Sequence, residues 1–236
     1  MNPSETAALG ERLEAVRERL AGAARIAGRK PEDVRLIAVS KLHPVEAILA
    51  AYGFGQRVFG ENYVQEALAK QEALPDLDVE WHCIGHVQTN KAKDVTGRFA
   101  LIHTVDNLKF AETLARRLPE DIPVQRVLLQ VNIGNEPQKA GVDEHDLPAL
   151  AEAVLALPRL EVRGLMCLPP VFDAGEAARP HFARLRVLCE ELRARLGLPL
   201  PELSMGMSGD FEAAVAEGAT LVRIGTDIFG PRPPRT

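Results

Sequence analysis

Eight short apolar runs recur along this chain, and a stretch with helical spacing follows seven of them. The runs are "VRLIAVSK" (34–41), "RVFGEN" (57–62), "VEWHCIG" (79–85), "LIHTVD" (101–106), "RVLLQVNI" (126–133), "LEVRGLMCL" (160–168), "ELSMGMS" (202–208) and "TLVRIGTDIFG" (220–230). Between them lie "PVEAILAAYG" (44–53), which Gly53 closes, then "YVQEALAKQEAL" (63–74), "QTNKAKDVTG" (88–97) and "NLKFAETLARRL" (107–118). "DLPALAEAVLAL" (146–157, with Asp143 or another acidic cap), "ARPHFARLRVLCEELRARLG" (178–197) and "GDFEAAVAEG" (209–218) complete the set. Strands that alternate with helices must run parallel, because each crossover returns the chain to the same end of the sheet. Eight such units in 236 residues predict an α/β fold, a single (β/α)8 barrel of the TIM type. An open doubly wound sheet would more often carry a glycine-rich turn after its first strand. Here that turn reads "SKLHPVEA", without glycine.

An extra amphipathic helix over 5–28 precedes the barrel, with Leu13, Val16 and Leu20 on one face. No composition shift or low-complexity tract divides the chain, so residues 1–236 read as one domain, with a proline-rich tail at 231–236 expected to fray. The net charge of −5 gives no overall attraction to nucleic acid or to an anionic membrane. The first twenty residues are charged and lack the apolar core of a signal peptide. No apolar run approaches the length of a membrane span. Cys83, Cys167 and Cys189 are scattered and form neither a disulfide framework nor a CxxC pair. These features predict a cytoplasmic protein with no nucleic-acid or membrane partner.

Lys41 ends the first apolar run. Strand side chains alternate faces, so Ile37, Val39 and Lys41 share a side. If that side faces the barrel interior, Lys41 stands at the C-terminal mouth, where barrel active sites are built. Packing over Ile37 and Val39 would favour the neutral amine that Schiff-base chemistry needs. A lysine that merely reaches solvent past a strand is the plainer reading.

The segment 203–230, "LSMGMSGDFEAAVAEGATLVRIGTDIFG", spans the last two strands and the helix between them. Barrels often bind phosphate on the loops that follow these strands. Ser208 precedes a helix start, whose N–H groups suit an anion. Gly225 lets the backbone approach a ligand closely, and the Thr226 hydroxyl can donate to it. Ser208 as an ordinary N-cap, and Gly225 as relief of crowding, are the alternatives. Arg223, Gly225 and Asp227 alternate on the expected strand. An inward arginine needs an acceptor, either a pyridine nitrogen or Asp227.

With "LIAVSK", "FGENYVQE", "WHCIGHVQTNK", "VNIGNEPQKAGV", "GLMCLPP" and "LSMGMSGDFEAAVAEGATLVRIGTDIFGPR" in this order, the chain resembles the pyridoxal phosphate homeostasis protein family from about residue 33 to residue 232. The resemblance implies a barrel like the N-terminal domain of alanine racemase. It implies pyridoxal 5′-phosphate held as a Schiff base on Lys41 and a part in vitamin B6 supply. By the same resemblance Arg223 faces the pyridine nitrogen, and Ser208, Gly225 and Thr226 bind the phosphate. Asn62 sits near the ring and Lys41, and Met205 packs beside the cofactor. A monomer without an established reaction is implied, with PLP-dependent apo-enzymes as recipients of the cofactor. One departure is visible: "CIGHVQTNK" has His86 and Val87 where the family usually has another residue and Leu.

A PLP-dependent racemase is the competing expectation. It needs a base on each face of the α-carbon. The resemblance puts the second base of alanine racemase in a further domain, which leaves only Tyr52 and Tyr63 here. An arginine beside the ring nitrogen disfavours its protonation and weakens the electron sink. Short loops at the mouth would shield little from water. A carrier is therefore expected, with Lys91 and Lys139 as amines that pass the aldehyde on. A cofactor-free Schiff-base aldolase, a metal hydrolase built on His82 and His86, and a scaffold without a ligand are the remaining readings.

Overall fold

The computed structural model describes residues 1–170 and 172–231. Among them eight strands hydrogen-bond in chain order and close a parallel barrel. They are β1 (Arg35–Val39), β2 (Val58–Glu61), β3 (Glu80–Cys83), β4 (Leu101–Val105), β5 (Gln125–Val131), β6 (Leu160–Cys167), β7 (Glu202–Ser204) and β8 (Leu221–Ile224). The barrel shuts where β8 pairs with β1, with Ile37 opposite Arg223 and Ala38 opposite Ile224. Helices α1 (Pro3–Ile26), α2 (Val45–Gly53), α3 (Val64–Ala73), α4 (Ala92–Val95), α5 (Leu108–Arg117), α6 (Leu147–Leu155), α7 (Arg179–Leu196), α8 (Phe211–Ala216) and α9 (Thr226–Phe229) surround it.

Two apolar cores follow from the period-2 alternation of the strands. Inside the barrel, Ile37, Leu101, Leu128, Met166 and Leu221 pack as one plug. Between strands and helices lies a larger shell that contains Phe59, Phe110, Phe182 and Phe211, all fully buried. Each such side chain contributes about 1.5–3 kcal/mol by leaving water.

The extra helix is α1. Asn2 and Glu5 form a reciprocal capping box at its start. Its buried stripe of Leu9, Leu13, Val16 and Leu20 lies against α2, α8 and α9, beside the seam between first and last strands. Arg12 donates to the Ile228 carbonyl at 2.8 Å and ties α1 to the chain's end.

Several local expectations are corrected. The run 220–230 is not one strand. It ends at Ile224, and the Gly225 carbonyl accepts from Ile228 and Phe229 N–H to start α9. Asp227 therefore leaves the Arg223 face, and its carboxylate meets Arg19 at 2.9 Å. Ser208 is not an N-cap. The Asp210 carboxylate accepts from the Met207 N–H at 2.6 Å, and α8 starts only at Phe211. Gly53 does not close α2; it lies within the last turn, and Gly55 takes the left-handed conformation at φ +84°. The acidic residue expected before α6 is there, as Asp146 at the N-cap position, but it makes no side-chain bond to the helix.

Among the described residues no helix is long and apolar enough to cross a membrane. Cys83, Cys167 and Cys189 are buried free thiols. Of the tail expected to fray, residues 232–236 lie outside the described residues, and Pro231 is exposed.

Candidate functional site

A cavity of about 480 Å³ opens at the C-terminal mouth of the barrel. It is lined by residues at the ends of β1 and β8 and by residues that follow β1, β2, β3, β6, β7 and β8, with one loop residue from beyond β5. Lys41, Asn62, Ser208, Arg223, Gly225 and Thr226 all line it. These six lie up to 185 positions apart in sequence, and barrel closure brings them to one place.

Lys41 is half-buried just past β1, in a turn built tightly around it. The preceding carbonyl, Ser40 O, accepts from Lys70 Nζ at 2.7 Å. The following amide, Leu42 N, donates to Glu66 Oε1 at 2.6 Å. Leu42 holds φ +64°, a left-handed conformation unusual for leucine, which these two anchors enforce. Lys70 Nζ also meets Glu61 Oε1 at 2.7 Å, and the Ser40 hydroxyl donates to the same oxygen at 2.7 Å. Glu61 and Lys70 are only 1% and 4% exposed, so a buried ion cluster sets the backbone that carries Lys41. Burial pushes the Glu61 carboxyl up, against the downward pull of Lys70 and Ser40. On the other side His43 is buried and stacks on Phe229, with ring centres 5.1 Å apart.

Arg223 forms part of the cavity wall from inside the barrel and is 4% exposed. One guanidinium nitrogen donates to Ser204 Oγ, and the other donates to the Cys167 carbonyl at 2.9 Å. Burial pulls the guanidinium below its ordinary value, and the charge of Asp210 opposes that shift. Burial in turn pushes the Asp210 carboxyl up, with the Met207 N–H and Arg223 pulling it down.

Across the cavity, the turns after β7 and β8 present backbone. Ser208 and Gly209 precede α8, and among the described residues neither N–H has a backbone acceptor. A Cβ placed on Gly209 would meet nothing within 4 Å, so the space above that turn is open. Gly206, at φ +92°, makes the turn possible, since a Cβ there would lie 2.7 Å from that of Ala214. A Cβ on Gly225 would approach the Val39 carbonyl at 3.1 Å, which keeps the β8 exit close to the β1 exit.

Asn62 is half-buried, and its Oδ1 has no hydrogen-bond partner. A buried amide left open toward a cavity suits a polar ligand group, because an unpaired one costs about 1–3 kcal/mol. An amine, a fixed cation, an open amide and unpaired N–H groups together suit a polar ligand that carries an anionic group.

Other expectations separate from the site. Met205 is fully buried in the outer core and does not line the cavity; Met207, two residues on, does. The strand alternation explains this, since Ser204 faces inward and Met205 therefore outward. Lys139 lines the cavity, pairs with Glu136 and donates to the Pro169 carbonyl at 2.8 Å. Lys91 is exposed, sits 3.9 Å from Asp94 and does not line the cavity. Tyr63 is 44% exposed and does not line it either. His82 and His86 diverge: His82 is fully buried inside the barrel, whereas His86 is exposed, 3.7 Å from Asp106. The mouth is also less bare than short loops would make it. The segments 132–146 and 168–178 join β5 to α6 and β6 to α7, and Lys139, Leu168, Pro170 and Asp173 from them line the cavity.

Sequence reasoning passes over His43, Ile84 and Asp173, and it reads Asp210 only as an acidic residue suited to the dipole of the following helix. Asp210 carried a signal, a carboxylate that follows Ser208 and Gly209. A second groove, about 670 Å³, lies between the start of α6 and α7 and involves no strand end of the barrel.

The chain matches the family "Alanine racemase, N-terminal domain" over residues 12–233. It is 49% identical over 224 residues to the pyridoxal phosphate homeostasis protein of Pseudomonas aeruginosa, covering 95% of this chain and 96% of that protein. It is 48% identical over 222 residues to the protein of the same name from Aquifex aeolicus, covering 94% and 97%. Among solved structures it resembles PipY of Synechococcus elongatus PCC7942 with PLP bound, at 43% identity and a TM-score of 0.84, over 94% of this chain and 100% of that one.

Proposed function

The chain belongs to the pyridoxal phosphate homeostasis proteins, within the alanine racemase N-terminal domain family, and from this premise we propose that it holds pyridoxal 5′-phosphate as a Schiff base on Lys41 and delivers it to other proteins. The observation that carries the reading is the convergence of Lys41, Arg223, Asn62 and the Ser208–Gly209 turn on one cavity. The cofactor supplies an aldehyde that a lysine amine can capture and a ring that can act as an electron sink.

Each residue then has a task. Lys41 offers its amine from a backbone fixed on both sides. Arg223 stands as a fixed donor for the ring nitrogen. Asn62 offers its open amide to a ring substituent. The N–H groups of Ser208 and Gly209, with Gly225 and Thr226, receive the phosphate. Lys139 is the amine placed to assist release, and Lys91 has no part in this reading.

Carriage is preferred to racemisation on two grounds. A guanidinium disfavours a proton on the ring nitrogen and so weakens the sink. Tyr63 does not line the cavity, so it is not in place as the second base. In this reading the protein works as a monomer, and the recipients are PLP-dependent apo-enzymes.

Loaded protein is mixed with an apo-transaminase and a phosphatase that destroys free pyridoxal phosphate. The reading expects transaminase activity to return, and to return more slowly from Lys139→Ala. No recovery, or exchange of an amino acid's α-hydrogen in heavy water by the loaded protein, would sink the carrier reading.

A further inference from the structure

Below the cavity, the barrel interior contains a continuous polar chain through an otherwise apolar plug. Arg223 on β8 donates to Ser204 Oγ on β7. Ser204 Oγ lies 2.9 Å from His103 Nδ1 on β4. His103 Nε2 lies 3.0 Å from His82 Nδ1 on β3. His82 Nε2 lies 2.8 Å from Glu80 Oε1, at the start of β3. His82, His103 and Ser204 are all fully buried, while Glu80 reaches the N-terminal mouth with its side chain 38% exposed.

The two ends dictate the direction of every bond between them. A guanidinium can only donate, and a carboxylate can only accept. Glu80 stays a carboxylate, its acidity strengthened to about 2 by the His82 bond and by Arg35, against the effect of burial. Ser204 therefore accepts from Arg223 and has its own hydrogen to give, which among the described residues only His103 Nδ1 is placed to take. His103 then gives the hydrogen on Nε2 to His82 Nδ1, and His82 gives its Nε2 hydrogen to Glu80. Every donor finds an acceptor. If either imidazole were protonated, His103 would donate to Ser204 or His82 would donate at both nitrogens. The buried Ser204 hydroxyl would then lose its acceptor, or the chain would meet donor against donor. Burial of both rings opposes protonation too, and for His103 the neighbouring His82, Arg223 and Arg35 add to it. Around His82 the charged groups are Glu80, Arg35 and Glu202.

We propose that Glu80, His82, His103 and Ser204 form a one-way hydrogen-bond relay across the barrel, both imidazoles neutral with hydrogen on Nε2, and that this relay positions Arg223 in the cavity from the opposite mouth. None of the four touches the cavity, so they are positioning residues. The consequence is a coupling between the two ends of the barrel: what happens at Glu80 reaches Arg223.

The test is imidazole ¹⁵N NMR on the full chain without added cofactor, comparing wild type, Glu80→Gln, Glu80→Leu and Ser204→Ala. In the wild type both rings should read as the neutral Nε2–H form from about pH 8 down to about pH 6, where an ordinary imidazole titrates. Glu80→Gln keeps an acceptor oxygen and should leave both patterns in place. Glu80→Leu removes it and should change the signals of His103 as well as those of His82. A charged or Nδ1–H ring in the wild type overturns the proposal. So does a Glu80→Leu effect that stops at His82. Because Glu80 is partly exposed, this pair remains decisive even if Ser204→Ala does not fold. A second arm rests on the proposed cofactor reading: Ser204→Ala should bind pyridoxal phosphate about tenfold more weakly, as expected for one lost bond to a charged group. Correct tautomers with unchanged affinity would defeat the positioning of Arg223. Correct tautomers with no binding even in the wild type would defeat the cofactor reading alone.

Discussion

Lys70→Met removes the cation at the centre of the cluster that shapes the Lys41 turn. Methionine matches the length of the lysine stem, so packing loss is small and the cost is electrostatic. Three contacts go at once: to Ser40 O, to Glu61 Oε1 and to Glu66 Oε1. Breaking a buried ion pair by deleting one partner costs about 3–5 kcal/mol. Glu66 retains 23% side-chain exposure and can recover water, so the lower figure applies. A loss of about 3 kcal/mol lowers Tm by roughly 6–12 °C in a chain of this size. The loss should also depend on pH. Without Lys70, the buried Glu61 carboxyl rises further, since burial already pushes it up and the cation was what opposed this. An acid whose folded pKa exceeds its unfolded value binds more protons when folded, so stability falls as pH rises through that interval. The deficit of the variant should therefore be smaller near pH 5 than near pH 8, roughly the two sides of that titration. Urea unfolding followed by circular dichroism at both pH values measures it. A deficit below about 1 kcal/mol, or one equal at both pH values, would refute an energetic role for the buried pair.

Gly85→Ala should cost about 1–3 kcal/mol, as overpacking does, because a Cβ there would fall 2.1 Å from the Asn62 carbonyl and backbone would have to move. Its urea midpoint checks the cost, and weakened pyridoxal phosphate binding checks the displacement of Asn62. Leu128→Ala, in the fully buried inner plug, should lose about 2–5 kcal/mol, read from the same titration. Burial pushes the thiols of Cys83 and Cys167 up to about 12 and that of Cys189 to about 11, so native protein should react with a thiol reagent at mildly alkaline pH far more slowly than unfolded protein. Comparable rates in the two states would contradict their burial.

The barrel was readable from the sequence because each strand is an apolar run too short to be a helix and each crossover carries its own period. Lys41 was readable because an ammonium ending such a run is an anomaly with few explanations. Arg223 stood out for the same reason, as a cation at an inward position of a buried strand. What failed depended on local turns. Gly225 ends β8 two positions before Asp227, so alternation no longer applied there. Met205 was misplaced although the strand period, counted from Ser204, assigns it outward. The cluster beneath Lys41 stayed hidden because Glu66 and Lys70, four apart on a helix, look like an ordinary surface pair. Only the packing of α3 against the β2 end buries Lys70 to 4% exposure. The chain from Glu80 to Arg223 joins four strands, and its register across the barrel is not written in any one of them.

Borohydride reduction of the protein incubated with pyridoxal phosphate, followed by peptide mass mapping, tests the central claim most directly. The account predicts a single phosphopyridoxyl adduct on Lys41, absent from Lys41→Ala together with the visible absorption band. An adduct on Lys139 or on scattered surface lysines, with Lys41 unmodified, would contradict it.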